Sequence, residues 1–171
     1  MDIMEIINNL RECVSDAHMS IDEIDGFLSD YENIINDSNI HFSAGISRVA
    51  IIDKLNKRVY KFDYGFCGVC GSCETEYNLY HDIISRDKTL IDFFAPIDKI
   101  NENVYVMPYI EDVGNARYGT IDYYLTEEEY KHIRQYVKDM HRGNFGFIDG
   151  KPVLIDYAFN SLTMGFDTED N

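Results

Sequence analysis

The hydrophobic pattern changes character at Ser43, and that change limits the folds open to the chain. Before it, apolar residues recur at helical spacing. Ile3, Ile6, Ile7, Leu10 and Val14 fall on one face, and Ile24, Phe27, Leu28, Tyr31 and Ile35 form a second stripe. Ser20 and Glu23 make a capping-box pattern at the start of that second helix. Beyond Ser43, the β-branched and aromatic runs "SRVAIID" and "KRVYKFDY", joined through Lys54 and Asn56, predict a hairpin. A helix capped by Ser72 is expected next, with Glu76, Leu79, Tyr80 and Ile83 on one side, so that Glu76 faces inward. "NVYVMPYIED" reads as a strand broken by Pro108, which cannot continue a central ladder. Thr126 and Glu129 open another capping box, followed by the stripe Tyr130, Ile133, Val137 and Met140. Two short strands, "FGFID" and "PVLIDYA", then close around Asp149-Gly150, a dipeptide suited to a tight hairpin. The fold class is therefore α+β.

With 171 residues, 45% of them hydrophobic, the chain suffices for one well-packed domain or two small lobes. A formal charge of -16 argues against a nucleic-acid partner, whose phosphates would be repelled. No apolar run approaches the roughly 20 residues that span a bilayer, and the acidic start "MDIMEIINNL" is unlike a signal peptide. A cytoplasmic protein without a membrane partner is the expectation. Ten acidic residues against one arginine in the first forty make the outer face of the N-terminal helices strongly negative. That face is either simply solvated or a surface for a basic protein partner.

Cys67, Cys70 and Cys73 crowd into "CGVCGSC", a spacing that resists mutual disulfides and suits reduced thiols. They could hold zinc or an iron-sulfur cluster if a fourth ligand such as Cys13 or His81 came near. A glycine-spaced loop of unliganded thiols is the reading preferred here.

The densest chemistry lies in "DMHRGNFGFIDGKPVLIDYA", residues 139–158. The hairpin brings Asn144, just before its first strand, close to Asp156, at the end of its second, and Asp139 stands at the mouth of the same loop. Hard oxygen donors of this kind suit magnesium, with phosphates and water completing the shell. A carboxylate near an acceptor hydroxyl is the other requirement of phosphoryl transfer.

D-x-H-x-G-N, a hairpin and then I-D-Y-A resembles the catalytic loop and metal motif of the protein-kinase-like fold, closest in style to the aminoglycoside phosphotransferases. The resemblance covers about residues 43 to 158. It implies that Asp139 is the catalytic carboxylate, that Asn144 and Asp156 bind magnesium, and that His141 shapes the loop. It also implies that Lys61 holds the phosphates of ATP, that Glu76 is the ion-pair partner of Lys61, and that adenine meets the backbone of Pro108 and Ile110 at a hinge. The implied organisation is a reduced two-lobe kinase-like fold. An acidic N-terminal helical extension occupies 1–40, an N-lobe with hinge 41–112, and a truncated C-lobe 113–171.

The sequence also departs from that pattern. Gly45 is the one glycine where a glycine-rich phosphate loop belongs, Val137 and Lys138 precede Asp139, and Ala158 stands where the family has glycine. The chain runs 15 residues past Asp156, too few for a peptide platform. Two functions follow: a minimal ATP- and magnesium-dependent phosphotransferase acting on itself or a non-peptide acceptor, or a pseudokinase that regulates a partner through its acidic surface.

Overall fold

The computed structural model describes residues 2–17, 20–45, 47–64, 71–111 and 121–164. Helices α1 (Ile3–Ala17) and α2 (Ile21–Ile35) form on the two N-terminal stripes. The Ser20 box is closed in both directions, with Ser20 Oγ accepting the Glu23 N–H at 3.4 Å and Glu23 Oε2 accepting the Ser20 N–H at 2.7 Å. Asn36, left-handed at φ 49°, ends α2 and returns its N–H to the Glu32 carbonyl.

Five antiparallel strands follow: β1 (Ile40–Ala44), β2 (Arg48–Asp53), β3 (Arg58–Asp63), β4 (Asp98–Asn101) and β5 (Val104–Pro108). Their order across the sheet is β1-β2-β3-β5-β4. Lys61 pairs in register with Ala50 on one side and Tyr105 on the other. Ile7, Leu10, Ile24 and Leu28 of the two helices join Ile51 and Phe62 of the sheet in one buried cluster. Burial of such side chains contributes about 1.5–3 kcal/mol each before conformational entropy is counted.

The chain divides into two compact units, Met1–Cys73 with Asp98–Tyr109, and Glu74–Ile97 with Ile110–Asn171. Helix α3 (Ser72–Asp82) starts in the first and continues in the second. At its start the Asp63 carboxylate accepts the Cys73 N–H through both oxygens, at 3.2 and 3.3 Å. Ser72 is the first helical residue and hydrogen-bonds its hydroxyl to that of Ser47 at 2.8 Å.

The second unit contains α4 (Glu127–Arg134), the hairpin of β6 (Phe145–Ile148) and β7 (Lys151–Leu154), and the short α5 (Ser161–Met164). The hairpin pairs Phe145 with Leu154 and Ile148 with Lys151. Asp149 and Gly150 turn it at φ 50° and 81°, two positive values in succession, which match the right-handed twist of the strands. Phe94 adds a parallel bridge to Leu154, and the Ala95 N–H meets the Leu154 carbonyl at 2.9 Å.

α4 is shorter than its stripe suggests. Val137 and Met140 are buried as expected, but Val137 has left the helix to form an antiparallel bridge with Asn160. A tertiary bridge has replaced the last helical turn. Among the described residues no helix is long and apolar enough to cross a membrane.

The Thr126 box caps α4, with Thr126 Oγ1 accepting the Glu129 N–H at 3.2 Å and Glu129 Oε2 accepting the Thr126 N–H at 2.7 Å. Thr126→Ala should cost about 1 kcal/mol in urea unfolding. The N–H and hydroxyl of Thr126 hold the Glu129 carboxyl below its ordinary pKa. Its contribution is therefore complete above the ordinary glutamate range and fades as pH falls through the lower folded value. Stability followed against pH should lose part of its acid limb in Glu129→Gln.

Candidate functional site

Asp139, Asn144 and Asp156 all lie in the second unit, and Asn144 connects the other two. It closes a 3₁₀ turn, Arg142–Asn144, immediately before β6, and is 7% exposed. Its main-chain carbonyl accepts two N–H groups from the far side of the hairpin, that of Ile155 at 2.8 Å and that of Asp156 at 3.2 Å. Its side-chain Nδ2 donates to the Asp139 carbonyl at 2.9 Å. The amide nitrogen is thus committed, which leaves Oδ1 as the hard donor of this side chain. Asp156 lies two residues beyond the end of β7, half-buried, so its position is set by the Asn144 carbonyl and not by the strand ladder.

The Asp139 side chain is 44% exposed and so can be reached from solvent. His141 sits beside it. Its Nδ1 accepts the Gly143 N–H at 3.1 Å, which assigns the ring proton to Nε2, and Nε2 lies 3.6 Å from Asp139 Oδ1. That separation is an electrostatic contact and exceeds a hydrogen bond. The Asn144 N–H meets the His141 carbonyl at 2.9 Å and closes the turn.

Glu76 is fully buried on α3, inward-facing as its place on the stripe predicts. Its Oε1 accepts the main-chain N–H of Tyr157 at 2.7 Å, one residue past Asp156. The Tyr157 ring is enclosed too, edge-on to Phe94 with centroids 5.2 Å apart, and its hydroxyl donates to the Ala95 carbonyl at 2.7 Å.

Ile110 is buried and packs against Gly146 of β6. A Cβ on Gly146 would fall 2.6 Å from both the Glu111 carbonyl oxygen and Ile110 Cγ2, so only glycine lets this segment lie so close.

Lys61 and Pro108 belong to the first unit. Lys61 is 5% exposed at the middle of β3, unlike the exposed Lys54 and Lys57 of the preceding turn. Enclosing an amine is costly unless it meets opposite charge, which separates Lys61 from an ordinary strand lysine. Pro108 ends β5 opposite Arg58. Between β1 and β2, where a phosphate loop would stand, two main-chain carbonyls are engaged by Tyr64. Tyr64 donates its hydroxyl to the Gly45 carbonyl and its N–H to the Ser47 carbonyl, the latter at 3.1 Å.

Cys67 and Cys70 lie outside the described residues, and Cys73 is buried at the start of α3. Among the described residues no group of three or more histidine, cysteine, aspartate or glutamate side chains could hold a metal ion. Asn144 Oδ1 and the Asp156 carboxylate are by their chemistry hard oxygen donors, the kind magnesium takes one or two at a time while keeping waters or phosphate oxygens. Sequence reasoning missed Gly146, Tyr157 and Asn160. A glycine inside a predicted strand was the one available sign, of a close backbone approach.

Compared with family models, with curated proteins and with solved structures, the chain finds no match in any of the three.

Gly146→Ala should displace the Ile110–Glu111 backbone and cost about 1–3 kcal/mol in chemical denaturation. Unchanged unfolding would mean that the backbone there yields freely.

Proposed function

We propose that this chain is a reduced protein-kinase-like phosphotransferase that uses ATP and magnesium and acts on itself or on a non-peptide acceptor. The observation that carries the reading is the double engagement of Asn144, which binds the Asp139 carbonyl by its side chain and the Asp156 N–H by its main chain. The order of the parts supports it as well. An antiparallel sheet bearing the enclosed Lys61 is followed by a helix bearing Glu76. The chain then passes from the first unit to the second between Tyr109 and Ile110, within the span expected to be a hinge.

In this reading the acceptor hydroxyl gives its proton to the Asp139 carboxylate as its oxygen bonds to the γ-phosphorus of ATP. The bond from that phosphorus to the β,γ-bridging oxygen breaks, and ADP leaves with the electron pair. Asp156 and Asn144 Oδ1 would hold magnesium, which when bound neutralises phosphate charge. By the kinase-like resemblance Lys61 would add positive charge to the phosphates and the backbone of Pro108 and Ile110 would meet adenine, while Glu76 holds the Tyr157 N–H beside Asp156. His141 braces the turn and orients Asp139.

A second reading is a pseudokinase that holds a basic protein partner. It is favoured by Asp22, Asp25 and Asp30, exposed on α2 while Ile24 and Leu28 face the core. Complementary charge of this kind mainly speeds encounter and selects partners.

Calorimetric titration with ATP, with and without magnesium, separates the two. Wild type should bind more tightly with the metal, and Asp156→Ala should lose that gain. Asp139→Ala should keep binding and lose transfer of radiolabelled phosphate by about 10²- to 10⁴-fold. Wild type that binds no ATP under either condition would overturn the phosphotransferase and leave the acidic surface as the function.

A further inference from the structure

Asn160 is fully buried, yet it is a polar residue outside every part of the mechanism above. A buried amide is retained only where its hydrogen bonds are met, so its partners show what it holds. Its Nδ2 donates to the Tyr157 carbonyl at 2.8 Å and makes a longer contact, 3.5 Å, to the Thr75 carbonyl on α3. Its Oδ1 accepts the Leu162 N–H at 3.0 Å, which starts α5. Its main chain bridges Val137, two residues before Asp139, and the next residue, Ser161, donates its N–H to the Tyr136 carbonyl at 2.9 Å.

One residue therefore grips the segment that follows Asp156 and, through its own backbone, the segment that leads into Asp139. Tyr157 is held at three polar atoms: its N–H by Glu76, its carbonyl by Asn160 and its hydroxyl by Ala95. Such a segment cannot rotate about its backbone without breaking several buried hydrogen bonds at once.

We infer that Asn160 is a positioning residue that fixes the spacing between the Asp139 and Asp156 loops and so sets magnesium affinity at Asp156. The inference rests on the phosphotransferase reading for its chemistry, but the clamp itself is independent of it. Asn144 joins the two loops at their front, and Asn160 joins the same two at their back.

Asn160→Asp keeps the shape and the acceptor to Leu162 but puts an oxygen where Nδ2 faces the Tyr157 carbonyl. Asn160→Ser retains a small donor and serves where the aspartate variant fails to fold. Both are compared with wild type by titration with ATP alone and with magnesium-ATP, and by hydrogen exchange over residues 136–140 and 155–158. The aspartate variant should lose about 10- to 100-fold in magnesium-ATP affinity, as for other residues that orient metal ligands, with ATP-alone affinity unchanged. Both loops should exchange faster together, and the serine variant should fall between. Equal loss with and without magnesium, or unchanged magnesium-ATP affinity, would overturn the assignment. Should wild type bind no magnesium-ATP, the phosphotransferase reading fails and the exchange alone decides. Loops that loosen together keep the clamp, and loops as protected as in wild type remove it.

Discussion

The candidate site depends on two N–H groups, those of Ile155 and Asp156, ending on one carbonyl, that of Asn144. β7 stops at Leu154, so beyond it no strand ladder holds the chain. Both residues are half-buried, and the Asn144 carbonyl gives each N–H a partner in place of water. Because the same residue's side chain holds the Asp139 carbonyl, the two aspartates share one frame. The holding at both residues is done by main-chain atoms, the Asp139 carbonyl and the Asp156 N–H.

Around that frame, polar groups are used where apolar packing would not specify a direction. Glu76 takes the Tyr157 N–H, Asn160 takes its carbonyl, and Ala95 takes its hydroxyl. Apolar contacts such as Phe94 against the Tyr157 ring exclude water but tolerate rotation, whereas each hydrogen bond fixes an angle. The arrangement favours a segment around Tyr157 held in one conformation over one that swings. In the first unit Tyr64 likewise meets two main-chain carbonyls, those of Gly45 and Ser47.

Much of the fold was legible where a single local rule acted alone. The stripes of α1 and α2, both capping boxes and the Asp149-Gly150 turn needed no tertiary information, and each formed as the spacing predicts. β1 and β4 did not announce themselves. "DKIN" is a four-residue strand with every side chain exposed, so it carries no alternation to read, and its existence comes from pairing with β5. The end of α4 escaped for a related reason: Val137 keeps its helical spacing but is drawn into a bridge with a residue 23 positions away, Asn160. Of the site, the linear order of Asp139, Asn144 and Asp156 was visible, and their hydrogen bonds were not. Nothing in the sequence marks Asn160 as different from a surface asparagine, since only burial gives it meaning.

The central claim, that Asn144 and Asp156 face one metal-nucleotide site, is tested most directly by paramagnetic broadening. The amide spectrum of the isotope-labelled chain would be followed during titration with manganese-ATP. Signals of Asn144, Ile155 and Asp156 should broaden first, at manganese far below the protein concentration. Broadening that begins on the acidic face of α2, or that is spread evenly over exposed carboxylates, would contradict the account.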